Sequence, residues 1–194
     1  MSALVFATNN SNKIREIEAL LKGKYQLKKL EEIGCLEELP ETHETIGENS
    51  AEKAEYVYRH YQVNCFAEDT GLEVEALNGE PGVYSARYAG EERDAGKNMD
   101  KLLKEMDGVE NRTAQFKTVV TLILDGKHYQ FTGILKGEIG LEKRGLYGFG
   151  YDPVFVLDDG RTLAEVMLDE KSRISHRGKA TQQLIDFLNA YNAG

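Results

Sequence analysis

Apolar positions along this chain fall into short blocks with two different periods. Leu4-Val5-Phe6-Ala7 is an apolar run too short for a helix, and it reads as a buried strand. Ile14, Ile17 and Leu20/Leu21 return at helical spacing, which predicts a helix from about Lys13 to Leu21. Tyr25 to Leu30 alternates in part and is expected to form a second strand. Residues 31–47 break every period and carry Glu31, Glu32, Glu37, Glu38, Glu41 and Glu44, as a solvated loop does. A helix is expected from Glu48 to about Tyr61.

Cys65-Phe66-Ala67 then reads as a short buried strand that ends in Glu68-Asp69-Thr70-Gly71. Leu72, Val74 and Ala76 alternate with Glu73 and Glu75, which predicts a further strand with one wet face. Residues 79–93 form a glycine-rich loop, and Asp94 to Met106 a helix. Thr113–Leu124 and Lys127–Leu135 flank Asp125-Gly126, a two-residue hairpin signal. A loop punctuated by Gly145, Gly148 and Gly150 leads to Val154-Phe155-Val156. The last helix is expected to start near Ser175, with Ala180, Leu184, Phe187, Leu188 and Tyr191 as its apolar stripe. Strands interleaved with helices, plus one antiparallel hairpin, predict an α/β fold with a mixed β-sheet.

Composition narrows the function classes. With 194 residues the chain is expected to be a single domain over residues 1–194, without a separable linker. No apolar run approaches the roughly 20 residues that span a bilayer, and no basic segment followed by an apolar core opens the chain. The expectation is a cytoplasmic protein without a membrane partner. Cys35 and Cys65 have neither metal-ligand spacing nor a CxxC pattern, and read as buried thiols. A net charge of −9 argues against a nucleic-acid partner, which calls for a basic stripe. It leaves room for a small cationic pocket of the kind a phosphorylated small molecule needs.

Four constellations carry chemistry. Thr8-Asn9-Asn10-Ser11-Asn12-Lys13 sits where a strand hands over to a helix. Free N–H groups and the helix dipole attract anions there, small polar side chains add donors, and Lys13 adds a charge suited to phosphate. The plainer reading is a helix cap. Glu68 and Asp69 are adjacent carboxylates at a strand end. Their side chains would diverge in a continuing strand, so a turn is expected to re-aim one of them. Asp69 is placed for Mg²⁺ and for activating a water, and the plainer reading is a surface Asx turn capped by Gly71. In Gly148-Phe149-Gly150-Tyr151-Asp152-Pro153 the glycines let the backbone approach a flat ligand, Phe149 can stack on a base, and a carboxylate can read its edge. Lys171-Ser172-Arg173-Ile174-Ser175-His176-Arg177 puts cations at a predicted helix start, where they oppose the dipole unless an anion binds.

In this order and spacing the chain closely resembles the inosine/xanthosine triphosphate pyrophosphatases, the Ham1-like family, from Thr8 to Arg177. The resemblance rests on the T-x-N-x-x-K turn, Glu48-Asn49 with Lys53-Ala54, and Glu68-Asp69-Thr70-Gly71-Leu72. It rests further on Pro81-Gly82-Val83-Tyr84-Ser85-Ala86-Arg87-Tyr88, Gly148 to Pro153, and Glu170-Lys171 with Ser175-His176-Arg177-Gly178. It implies an elongated sheet flanked by helices, two lobes with a substrate cleft between them, and a homodimer. It implies Mg²⁺-dependent hydrolysis of ITP, dITP and XTP to the monophosphate and pyrophosphate. Thr8, Asn9, Asn10, Ser11, Asn12 and Lys13 would hold the triphosphate, and Lys53 would face the phosphates. Asp69 would be the catalytic base and a metal ligand, with Glu41 and Glu68 as further metal carboxylates. Thr70 would contact substrate, Phe149, Gly150, Tyr151 and Asp152 would bind the base, and Lys171, His176 and Arg177 would grip base and phosphate. Asn9 and Glu68 stand where glycine and aspartate are commoner. Water activation is open among Glu41, Glu68 and Asp69. On this reading Arg177→Ala lowers activity far more than thermal stability. Two rival classes fit the same motifs, a pyrophosphatase for modified pyrimidine nucleotides and a nucleotide-binding module without turnover.

Overall fold

The computed structural model describes residues 3–21 and 25–191. Seven strands form one mixed sheet in the order β2-β1-β3-β5-β6-β7, with β4 paired to β3. They are β1 (Ala3–Phe6), β2 (Gln26–Lys28), β3 (Cys65–Val74), β4 (Pro81–Gly82), β5 (Thr113–Leu124), β6 (Lys127–Ile139) and β7 (Phe155–Val156). β1 runs parallel to β2 and β3, with Phe6 opposite Phe66, whereas β3–β4 and β6–β7 are antiparallel. The helices are α1 (Ser11–Leu21), α2 (Ile46–Tyr61), α3 (Ala95–Glu105), α4 (Leu168–Ile174) and α5 (His176–Tyr191).

The chain divides into two compact units. The first holds Met1–Asp69, Thr118–Gly133 and His176–Gly194, and the second Thr70–Lys117 and Ile134–Ser175. In the first unit the strands are covered on both faces, and the period of two sorts their side chains. Leu4, Phe6, Phe66, Val120 and Leu122 pack with α1 and α5, and the Phe6 and Phe66 rings stack at 4.5 Å. Val5, Ala7, Cys65, Ala67 and Ile123 pack on the other face with Ala54 and Val57 of α2. The second unit has its own core, in which Leu72, Val74, Leu102, Phe116 and Phe155 meet.

Three features depart from the sequence reading. β3 is one strand of ten residues that runs through Glu68-Asp69-Thr70-Gly71 without a turn. In the first unit both faces of β3 are covered by helices, so neither carboxylate has to be re-aimed. The segment 168–174 is a separate helix, α4, which a seven-residue run with one buried residue does not announce as a period. After β2 the chain makes a short 3-10 turn, Leu30–Ile33, rather than a longer strand. The hairpin forms as expected, with Asp125 and Gly126 at φ 51° and 76°.

Candidate active site

In open α/β sheets, ligands bind beyond the carboxyl ends of parallel strands. The Phe6–Phe66 register puts Thr8 to Lys13, after β1, level with Glu68 and Asp69 on β3. Asn10 caps α1, its side-chain oxygen accepting from the N–H groups of Asn12 (3.0 Å) and Lys13 (3.2 Å). The Thr8 hydroxyl accepts from the Asn10 N–H. The capping reading of this segment is therefore correct. Asn9, Asn10, Ser11 and Asn12 remain at the surface, with Thr8 and Lys13 half-buried.

From here the alternation of β3 divides the charges. On the face toward α1 and α5, Glu68 is fully buried and accepts from Arg177 Nε (3.0 Å) and Nη2 (3.2 Å), while Lys13 Nζ lies 2.9 Å away. Arg177 is equally buried and also donates to Glu16. Burial alone would raise the Glu68 carboxyl, but the Arg177 and Lys13 charges outweigh it and hold it well below the usual range. The same balance, with Glu68 and Glu16 outweighing burial, raises Arg177. The anion that resolves the conflict at the start of α5 is thus supplied first by the chain itself.

On the opposite face Asp69 meets α2. Lys53, only 5% exposed, donates to Asp69 (3.1 Å) and to Glu41 (2.6 Å). Burial disfavours the charge on Lys53, yet Asp69 and Glu41 prevail and raise its pKa. Asp69 itself is raised, because burial outweighs the attraction of Lys53 and Lys13 and Glu41 adds repulsion. Glu41 reaches this position from an irregular segment fastened to α2. Thr42 donates its N–H and hydroxyl to Glu52, and His43 and Asn49 exchange two hydrogen bonds. Glu37 accepts from the Tyr56 and Tyr61 hydroxyls.

The expected three-carboxylate metal set is therefore corrected. Glu68 lies on the face away from Asp69 and Glu41 and binds Lys13 and Arg177, since neighbouring strand residues point to opposite sides. Lys171 falls in the second unit, whereas His176 and Arg177 fall in the first. In the second unit it is buried and pairs with Asp152 at 2.6 Å, 5.0 Å from the centre of the Phe149 ring. Asp152 also accepts from the Phe149 N–H at 2.8 Å. A Cβ at Gly148, φ 74°, would fall 2.1 Å from that carboxylate, so only glycine fits there. Tyr151 is buried and donates to the Ser85 carbonyl, and Thr70 follows Asp69 on β3, half-buried. His176 is buried at the first position of α5.

Glu16 escaped the sequence reading. Its signal was a carboxylate one turn after Lys13, beside Ile17 on the apolar side of the helix. Asn98 was also passed over, and Ser85 figured only as part of the Pro81–Tyr88 motif. Asn98 accepts from the Ala89 N–H and donates to the carbonyls of Ser85 and Ala86, and so shapes the Tyr84–Tyr88 loop.

The profile of the Ham1 family matches residues 4–187. The chain belongs to the Ham1 family. A dITP/XTP pyrophosphatase of Flavobacterium johnsoniae is 57% identical over 188 residues, which is 96% of this chain and 98% of that protein. A protein of the same name from Bacillus subtilis is 42% identical over 195 residues, covering 98% of each chain. The structure of the Staphylococcus aureus Ham1 protein superposes with a TM-score of 0.89 at 37% identity, over 98% of this chain and 100% of that one. The Ham1 membership accounts for the motif order from Thr8 to Arg177, and the α/β fold with a mixed sheet agrees with it.

Proposed function

We propose that this chain is a nucleoside triphosphate pyrophosphohydrolase that converts ITP, dITP and XTP to the monophosphate and pyrophosphate and so clears deaminated purines from the nucleotide pool. The observation that carries this reading is Asp69, a buried carboxylate sharing Lys53 with Glu41 beside the Thr8–Lys13 turn. The names of the relatives support the substrate class.

The donor set fits a magnesium ion. Mg²⁺ takes one or two protein carboxylates, with substrate phosphates and water completing its shell. Asp69 and Glu41, both held by Lys53, would supply that pair. Bound there, the ion would neutralise phosphate charge and polarise the anhydride.

The chain's own residues supply the rest. Lys13 and the small polar groups of Thr8 to Asn12 bind phosphate oxygens. Lys53 holds Asp69 and Glu41 in place. Asp69 accepts a proton from the attacking water. The anhydride between the α and β phosphates breaks, and positioning with charge neutralisation does most of the work.

Phe149 would stack on the base, with Gly150, Tyr151, Asp152 and Lys171 lining its edge. A 6-oxo purine accepts hydrogen bonds where adenine offers an amine, so buried donors would be left unpaired against ATP. We further propose a homodimer. Leu141, Leu146 and Tyr147 are exposed in one short segment of the second unit, and a solution mass equal to twice 21.8 kDa is expected. Among the described residues no helix is long and apolar enough to cross a membrane.

Pyrophosphate release from XTP, ITP, ATP and GTP with Mg²⁺ tests the function. Fast release from XTP and ITP with slow release from ATP is expected. Equal rates on all four keep the hydrolase and remove the base-reading role. No release from any of them overturns the proposal.

A further inference from the structure

Ser50, Thr121 and Gln130 touch none of the groups assigned above, yet they tie α2 to the sheet one helical turn before Lys53. The Ser50 hydroxyl is fully buried, 3.3 Å from the Ala67 carbonyl and 2.9 Å from Thr121 Oγ1. Gln130 Nε2 donates to Thr121 Oγ1 at 3.0 Å and to the Gly47 carbonyl, in the first turn of α2, at 3.0 Å. Each hydroxyl has one proton. The arrangement that uses every donor runs from the Gln130 amide to Thr121, from Thr121 to Ser50, and from Ser50 to the Ala67 carbonyl. Such a chain polarises in one direction and strengthens each link.

The same seam carries the site. α2 runs antiparallel to β3, with the Ala54 carbonyl against Cys65 Sγ and Ser50 against the Ala67 carbonyl, and from the same face of the helix the long Lys53 side chain reaches past the Ser50 contact to Asp69. A slide of the helix along the strand that breaks the Ser50–Ala67 contact also carries Lys53 away from its place over Asp69. Apolar packing does not prevent that slide, because the contacts of Ala54 and Val57 are non-directional. Burial does not require hydroxyls here either, since an apolar pair of similar shape would fill the space without a polar group to satisfy.

We propose that Ser50 and Thr121 are positioning residues, which hold α2 at the register where Lys53 bridges Asp69 and Glu41. The inference rests on the hydrolase reading above for its effect on rate, but not for its effect on Lys53.

The test compares Ser50→Ala, Thr121→Val and Thr121→Ser with the parent chain, and uses Ile123→Val as a packing control. Ile123 lies two residues from Thr121 on the same face of β5 and loses only a methylene. Two quantities are measured well below each variant's melting temperature. One is steady-state pyrophosphate release from ITP at saturating Mg²⁺. The other, which needs no substrate, is the rate at which an amine-acetylating reagent labels Lys53, read by peptide mass spectrometry.

Ser50→Ala and Thr121→Val are expected to lower kcat about tenfold, to leave KM within about twofold, and to label Lys53 at least about fivefold faster. Thr121→Ser restores both quantities, and Ile123→Val leaves both at parent values. Parent-like kcat and labelling in Ser50→Ala and Thr121→Val overturn the proposal. So does an equal loss in Ile123→Val, which assigns the effect to packing. If the parent chain releases no pyrophosphate, the hydrolase reading fails alone, and the labelling rates still decide whether the hydroxyls set the register.

Discussion

Two adjacent carboxylates, Glu68 and Asp69, respond to folding in opposite directions, and both consequences are measurable. Glu68 is held below its ordinary 4.5, so its contribution to stability is complete above that pH and is lost as the pH falls below it. Asp69 is raised above its ordinary 3.8, so it favours the folded state at low pH, and that gain is lost as the pH rises through its folded pKa. Urea unfolding between about pH 3 and 6 is expected to show Glu68→Gln with a flatter loss of stability on acidification and Asp69→Asn with a steeper one. Identical slopes in the two variants would refute the division of charge across β3. Arg177 belongs to the same calculation. Replacing it with alanine leaves Glu16 and Glu68 buried without their shared cation, at a cost of about 3–5 kcal/mol. The melting temperature should fall by roughly 6–20 °C. The sequence reading expected activity to suffer far more than stability, and calorimetry of Arg177→Ala decides between the two. That reading found the charged residues but not their partners. Arg177 meets Glu68 across 109 residues and Glu16 across 161, and no local period encodes such pairs.

Elements explain why those partners stay in place. α2 was legible in the sequence from Glu48 onward, but its start at Ile46 and the Thr45 cap, which accepts from the Glu48 N–H, were not. β3 was not, because Glu68-Asp69 and Gly71 look like a strand end until helices are known to cover both faces of the strand. The segment carrying Glu41 was equally opaque. Its acidic residues read as a solvated loop, yet Glu37, Glu52 and Asn49 bind it to α2. Glu37 is the latch most open to test. Its own N–H and the Tyr61 hydroxyl hold it down to about 2, so it stays ionised through any workable pH. Glu37→Ala should free the segment and loosen the placement of Glu41. The Mg²⁺ concentration for half-maximal rate is expected to rise about tenfold, in line with other supporting residues of metal sites. Rate against Mg²⁺ at fixed ITP measures this, and an unchanged midpoint would show that Glu41 keeps its place without the latch.

At the scale of the whole molecule, the alternation of strands and helices and the Asp125-Gly126 hairpin were readable because they depend on neighbours in sequence. The residue boundaries of the two compact units were not, because β3, β5 and β6 each contribute residues to both. The net charge of −9 then sets a condition on function. A polyanionic nucleotide gains nothing from the protein's overall field, so its binding must come from local cations and the metal. Stability reports that binding directly. A ligand that binds only the folded state at about 100 times its Kd adds about 2.7 kcal/mol, which for a chain of this size is a rise in melting temperature of roughly 5–11 °C. Mg²⁺ with a non-hydrolysable α,β-imido analogue of ITP should give a shift of that order. In Asp69→Asn the bare protein should melt close to the parent, because removing a carboxylate that burial disfavours offsets the lost contact with Lys53. The increment from Mg²⁺ and the analogue should largely disappear, since one of the two metal carboxylates is gone. A variant that keeps the full increment would take the metal away from Asp69. A variant that loses its fold before any ligand is added would show instead that Asp69 serves the structure of the first unit rather than the reaction.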